Sequence, residues 1–322
     1  MNTTKIFKIE NDISSTNLSN QGIQKNSQQE INQKRLEKIL RKEKIYRFDK
    51  DIRLLTRKEL GCLFSYQGRI PMTRLFKNII WNAYERIQSG KADPIEGNLR
   101  TFYYLWIKPV LGHIEDDQNK KTNLYDVMLK MFARMVLDLK LFRYSDFDFT
   151  DENWQNRWIG ESKPEVLVFA EKSGWVRFLK EIHEDLGVST IALGGFPSAL
   201  TSEYTALHLQ KKIKNKPIFL VGIVDFDPSG DLIFQAFEEQ LKTCGLNISS
   251  SKTLIKPENG YTEKEVEMFK FRLPRKQKTK LKRWLQKTGG IQGQPFGLES
   301  ESMKRSQVRK FLEYLLFENV LL

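Results

Sequence analysis

The sequence predicts an α/β protein (α+β overall), with a helical first half closed by a short alternating segment and a second half built on a mostly parallel sheet. Two patterns carry this. Between Val166 and Lys242, short runs rich in Val, Ile, Leu and Phe alternate with stretches of helical period, as buried strands joined by crossover helices do. Between Thr73 and Leu139, apolar residues recur at spacings of three and four, the mark of amphipathic helices.

Residues 1 to about 34 are rich in Asn, Ser, Gln and Thr and read as a disordered tail, because they cannot bury enough surface to offset chain entropy. Lys34 to Lys50 is charged with helical spacing: a linker helix, an arm on DNA, or a plain solvated helix. Residues 1–50 are therefore expected as a disordered or partly helical basic tail. Thr73 to Ser89 is a helix ended by Ser89-Gly90, Asn98 to Ile107 a second one stopped by Pro109, and Thr122 to Leu139 a third. In the third, Leu124, Val127, Met128, Met131 and Met135 form an apolar stripe read as core. Leu141 to Phe149 alternates and suits a strand or wing, so residues 51–150 suggest a winged-helix (CAP-like) domain. A polar connection, Thr150 to Pro164, precedes a second domain at 160–322. Its strands are Val166–Ala170, Thr190–Leu193 and Ile218–Val224, and its helices Trp175–Asp185, Ser202–Lys214 and Asp231–Lys242.

The chain has 322 residues, with 53 Lys and Arg against 40 Asp and Glu, a net charge of +13 that favours a polyanionic partner. The charge is concentrated. From Arg272 to Leu298 there is no acid, while Arg272, Arg275, Lys276, Lys278, Lys280, Lys282, Arg283 and Lys287 surround one aromatic, Trp284. A solvated helix face normally mixes both signs, so Arg275, Lys276, Lys278, Lys280, Lys282 and Arg283 are candidates for contacting DNA phosphates. Cys62 and Cys244 stand far apart, and His113, His183 and His208 offer no zinc-ligand spacing. No apolar run approaches the roughly 18 residues of a membrane span. A reduced compartment is expected, cytoplasmic and nucleoid-associated, or nuclear in a eukaryote.

Ligands of parallel sheets sit beyond the carboxyl ends of strands, and there the sequence places Glu171 and Asp225, each directly after a strand. In Val221-Gly-Ile-Val-Asp-Phe-Asp-Pro-Ser-Gly230, Asp227 follows two residues later, so both aspartates can face one hard cation such as Mg²⁺. Alone, such acids often only cap the next helix; Glu171 as a third carboxylate tips the reading to a shared metal site. Upstream, Arg100 and Tyr104 in Arg100-Thr-Phe-Tyr-Tyr104 lie one helical turn apart on one face. Taken alone, Tyr103 and Tyr104 read as core aromatics.

Together, Glu171, the loop Gly195-Phe-Pro197 and Asp225-Phe-Asp-Pro-Ser-Gly230 resemble the Toprim domain of the topoisomerase VI A subunit and its meiotic double-strand-break relatives. Arg100-Thr-Phe-Tyr-Tyr104 is similar to that family's Arg-x-x-(Tyr/Phe)-Tyr signature. The resemblance covers roughly residues 55–322. It implies Mg²⁺ held by Glu171, Asp225 and Asp227, Tyr104 as a nucleophile that becomes linked to a DNA 5′ phosphate, and Arg100 on the scissile phosphate. It also implies a homodimer in which the tyrosine of one protomer meets the metal of the other. The family loop continues to Thr-Arg, whereas this chain has Thr201-Ser202, leaving that arginine absent or supplied elsewhere. Gly297-Leu-Glu-Ser-Glu-Ser-Met303, with Glu299 and Glu301, is similar to an acidic motif near the family's C-terminus and receives no role. No G-x-x-x-x-G-K-[ST] loop occurs, so ATP-driven strand passage implies a separate GHKL-type B subunit, unless the chain acts as a stand-alone A-like protein. Two other functions compete: a Toprim nuclease using metal-activated water, with Tyr104 structural, and a DNA-binding module without catalysis.

Overall fold

The structure, a computed structural model, describes residues 32–112, 123–274 and 278–320, and the chain divides into two compact units after Phe147. The disordered segment expected over the first 31 residues lies outside this range.

The first unit is helical. Its elements are α1 (32–43), α2 (Arg57–Phe64), α3 (Met72–Gln88), α4 (Leu99–Phe102), α5 (Lys108–Gly112) and α6 (Leu124–Ala133). Leu75, Phe76, Ile79, Ile80 and Ala83 of α3 are fully buried, and α3 packs on α6; in the same unit Phe102, Phe132 and Phe147 contact one another edge to face at 4.9–5.9 Å. The segment 44–52 is not a solvated tail. Leu40 and Ile45 are buried, and the fully buried Asn78 and Asn82 of α3 accept the Tyr46 N–H at 2.7 Å and the Ile52 N–H at 3.0 Å. Two interior amides thus strap this segment to α3, because buried polar groups must be paired.

Two other expectations change here. The helix after Asn98 does not stop at Pro109: between α4 and α5 it widens into a π turn, Tyr103–Ile107, and continues to Gly112. A proline inside a helix costs one N–H and crowds the carbonyl four residues back, and a widened turn relieves both. Nor does Leu141–Phe149 form a strand or wing, for Tyr144–Phe147 is a 3₁₀ turn held by Asp146, which accepts the Arg143 N–H at 2.7 Å. Its alternation reflects Phe142, Tyr144, Phe147 and Phe149 each turning into a core, and its backbone pairs only at single points, with Phe149 an isolated bridge residue and the Phe147 carbonyl accepting the Ile95 N–H at 2.9 Å. Among the described residues of this unit no strand occurs, only isolated bridge positions, Tyr66 with Arg69 and a further one at Gly97. Of the apolar stripe, Met128 of α6 and Met135 of the π turn Arg134–Asp138 that continues it are fully buried; the expected first residue, Thr122, lies outside the described range.

The second unit is α/β: β1 (Arg157–Trp158), β2 (Lys163–Ala170), α7 (Val176–Leu186), β3 (Val188–Ala192), α8 (Ala199–Ile213), β4 (Ile218–Ile223), α9 (Pro228–Thr243) and β5 (Ile248–Thr253), then α10 (Glu263–Phe269), β6 (Phe271–Arg272), α11 (Lys278–Thr288), β7 (Phe296–Gly297) and α12 (Arg305–Val320). The five-stranded sheet runs β1-β3-β2-β4-β5, parallel except for the β1 edge. Alternate residues of β2 serve opposite faces. Val166, Val168 and Ala170 pack with α7, Trp284 of α11 and α12, while Leu167 and Phe169 pack with α8 and α9. Sequence reading misses β5, because Ile-Ser-Ser-Ser-Lys-Thr carries little apolar signal and earns its place by pairing with β4 at an edge. From β2 the chain steps to β3 on one side and then to β4 on the other, so a topological switch point falls between β2 and β4.

Candidate catalytic site

Glu171 and Asp225 stand side by side at that switch point, since β2 and β4 are neighbours with Ala170 opposite Ile223. The ladder extends into the site, where Glu171 donates its N–H to the Ile223 carbonyl at 3.1 Å and accepts the Gly195 N–H at 2.8 Å on its own carbonyl. Gly195 has φ of 130°, which a side chain would strain, and the turn it forms leaves Phe196 exposed. After β4, Phe226 exchanges two backbone hydrogen bonds with Leu298, at 2.9 and 3.2 Å. Asp227 then caps α9, accepting the Gly230 N–H at 2.7 Å, with Pro228 at the start of the helix. A Cβ on Gly230 would lie 2.2 Å from the Asp225 carbonyl oxygen, so the Asp-x-Asp turn closes only against a glycine.

The Leu298–Phe226 pairing carries Glu299, Ser300 and Glu301 to this rim. The Ser300 N–H donates to Asp225 Oδ1 at 2.7 Å. Lys172 lies 3.0 Å from Asp225 Oδ2, contacts Glu299, and reaches Glu301 at 3.9 Å. Sequence reasoning gave no role to these four residues; the Glu171-Lys172 pair after a strand was the signal available.

The electrostatics follow from crowding. Burial, then the neighbouring Asp225 charge, pushes Glu171 up to about 6, with Asp227 adding and the Asp225 N–H and Lys172 opposing. Burial also raises Asp227 above the ordinary carboxylate range, against the Gly230 N–H and with the Asp225 charge. Lys172 is also raised, which favours its charged form: burial disfavours that charge, but hydrogen bonds to Glu299 and Asp225 outweigh burial and hold the ammonium above its ordinary value. Among the described residues no three His, Cys, Asp or Glu side chains close into a ready-made metal cage. The chemistry of the donor set nevertheless fits a hard divalent cation: oxygen-only, partly buried, and under a mutual repulsion that such a cation relieves. A cation would share Asp225 with Lys172 or displace it. Beside Asp225 and Asp227 a cavity of about 500 Å³ extends toward Lys252, Lys256 and Lys287.

In the first unit Tyr104 is 49% exposed on the π turn, while Arg100, four residues earlier, is also exposed. The Asn98 side chain caps α4 and holds the Arg100 N–H at 2.9 Å. Tyr103 and Tyr104 touch edge to face at 5.6 Å but have different further partners. Tyr103 packs edge to face on Tyr125 at 5.5 Å, whereas Tyr104 meets the Lys108 ammonium 5.0 Å from its ring centre. Tyr104 is thus not a core aromatic.

Of the six candidate DNA-contacting residues, Arg275 and Lys276 lie outside the described residues, and Lys278 begins α11. Lys280, Lys282 and Arg283 are exposed along α11. Trp284, expected amid the charges, is instead 3% exposed and packs on Phe226 at 5.0 Å, between the two aspartates in sequence. Lys287 reaches Asp231 in the first turn of α9 at 2.5 Å. The basic helix is therefore docked on the acidic turn. Thr201, where the family carries Thr-Arg, donates to Asp151 at 3.1 Å, and Asp151 pairs with Arg157; Ser202 donates to Gln240 at 2.6 Å.

No family model matches the chain, and no curated protein matches it. No helix among the described residues is long and apolar enough to cross a membrane.

Proposed function

We propose that this chain is a DNA transesterase of the type IIB topoisomerase A-subunit kind, with Tyr104 on the helical first unit and a Toprim-like metal site formed by Glu171, Asp225 and Asp227. The observation that carries the reading is Glu171 beside Asp225 at the switch point of the sheet, with Asp227 two residues on, where burial and then the neighbouring carboxylates raise Glu171 to about 6. Buried carboxylates crowded together without a ligand are a poor structural device, and at a switch point they are where a ligand site belongs.

Tyr104 and Arg100 supply the chain's own chemistry. The phenol oxygen attacks phosphorus, a 5′-phosphotyrosyl bond forms, the bond to the 3′ oxygen breaks, and the 3′ oxygen leaves as a hydroxyl on taking up a proton while the phenol's proton passes to solvent. Arg100, exposed one turn before Tyr104, stabilises charge on the phosphoryl oxygens. One phosphodiester is exchanged for another, so the break is reversible. Mg²⁺ held by Glu171, Asp225 and Asp227 would supply charge stabilisation for a phosphate and the departing oxygen. Lys280, Lys282 and Arg283 would track the backbone of duplex DNA. A homodimer, and a separate ATPase subunit where strand passage occurs, belong to the same proposal.

The test is covalent. Wild type incubated with supercoiled DNA and Mg²⁺ and quenched with SDS is expected to remain attached to DNA 5′ ends; Tyr104→Phe is not, and Tyr103→Phe is. Tyr104→Phe removes one oxygen from a half-exposed ring, so its effect reports chemistry rather than folding. Cutting without attachment would replace this reading with a metal-dependent nuclease. One observation favours a non-catalytic DNA-binding module instead: Lys172 and the Ser300 N–H already occupy both oxygens of Asp225. Binding without any cutting would support it.

A further inference from the structure

The turn that carries Tyr104 is braced from outside its own helix. In the π turn Tyr103–Ile107 the Lys108 N–H bonds back to the Tyr103 carbonyl, five residues away. Arg53, 52 residues earlier in sequence than Leu105, points Nη1 at the Leu105 carbonyl of this turn from 3.4 Å. Its guanidinium also lies 3.9 Å over the ring of the buried Trp106. The remaining nitrogens are held by Asp51, with Nε to Oδ1 at 3.0 Å and Nη2 to Oδ2 at 2.6 Å. Asp51 is itself fixed: it is 8% exposed, accepts the Arg53 N–H at 3.0 Å and lies 3.4 Å from Arg86 Nε. Burial works against its charge, yet the hydrogen bonds from Arg53 and the charge of Arg86 hold its carboxyl below the ordinary value. A planar fork against a carboxylate, a stacked face and one carbonyl use the geometry of arginine in a way lysine cannot match.

We propose that Arg53 is a positioning residue for the nucleophile: clamped between Asp51 and Trp106, it reaches the Leu105 carbonyl and fixes the widened turn on which Tyr104 stands. This rests on the reading of Tyr104 as nucleophile. The outer side of the turn has little other support, because Tyr104 and Leu105 are 49% and 48% exposed. Its inner side is anchored by Trp106 and Ile107, which are buried, so the brace joins the anchored residue to the exposed carbonyl beside the phenol.

Two measurements on the full chain test this. The first is backbone hydrogen exchange, for which Arg53→Ala should lose protection across Tyr103–Ile107 while the sheet of the second unit keeps it. Arg53→Lys, which keeps the charge beside Asp51, should lose much of the same protection. The second is the single-turnover rate of covalent attachment at saturating DNA, expected to fall on the order of 10²-fold in Arg53→Ala at unchanged DNA affinity, since a misplacement of about 1 Å has that effect. Unchanged exchange in Arg53→Ala overturns the brace whatever the activity. Altered exchange with an unaltered rate overturns the positioning role. Affinity that falls in step with the rate, with a salt slope smaller by about 0.9, makes Arg53 a phosphate contact instead. A wild type that never attaches to DNA sinks the transesterase reading, and the exchange data then judge the brace alone.

Discussion

Asp227 belongs to the fold and to the site at once. One oxygen caps α9 through Gly230, and the carboxylate adds to the field that raises Glu171. Replacing it by alanine therefore removes a proposed metal ligand and a helix cap worth about 1 kcal/mol, whereas Asp227→Asn retains an acceptor for the Gly230 N–H. Asp225→Ala and Asp227→Asn are both expected to abolish Mg²⁺-dependent cleavage while duplex binding, measured by titration, survives; cleavage unchanged in both would remove the metal-site reading. Glu171 offers a pH test. Its carboxyl rises from the ordinary 4.5 to about 6, so the folded state holds this proton more tightly than the unfolded one. The stabilisation is full below 4.5 and is lost as pH climbs to about 6, beyond which Glu171 is ionised beside Asp225 and Asp227. In metal-free buffer, the unfolding midpoint of Glu171→Gln should gain on wild type across that window. A gap that stays constant with pH would mean that Glu171 does not feel its neighbours.

At the scale of elements, α11 couples the basic surface to the acidic rim. Trp284 docks it on Phe226, Lys287 ties it to Asp231, and Lys280, Lys282 and Arg283 are left exposed. Neutralising Arg275, Lys276, Lys278 and Lys280 together should weaken DNA binding irrespective of sequence and reduce the log–log salt slope by about 0.9 for each phosphate no longer neutralised. An unaltered slope would make these charges solvated decoration. Trp284→Ala should act differently: losing a buried aromatic costs roughly 3–5 kcal/mol in denaturant unfolding, with the salt slope conserved in the folded fraction. The same helix marks a limit of sequence reading. Its charge run is plain in the sequence, but Trp284 among eight cations reads as part of a binding surface until Phe226 is seen to cover it.

For the whole molecule, two compact units place different chemistry on different scaffolds, with an exposed phenol on a helical unit and a crowded acidic rim on an α/β unit. A reaction needing both, on a duplex with two strands, favours two copies of the chain. Light scattering is expected to give about twice 37.9 kDa, and DNA ends should carry protein on both strands. A monomer that nicks a single strand would contradict the dimeric part of the proposal.

By itself the sequence determined the alternation of strands and helices from Val166 to Lys242, the ends of β2 and β4, and hence the shared rim of Glu171 and Asp225. These are local matters: the period of apolar residues says which face an element buries, and a run of four to eight apolar residues says how long a buried strand is. Tertiary structure alone decided what covers those faces and which distant groups return to the site. The polar strand β5 exists because β4 pairs with it, and Glu299 to Glu301 reach Asp225 because Leu298 pairs with Phe226. Pro109, which locally predicts a helix stop, is accommodated by a π turn, and the Leu105 carbonyl of that turn is met by Arg53, 52 residues away in sequence. A backbone group left without its local partner must find another, and where that partner comes from is set by packing between elements, which no local period encodes.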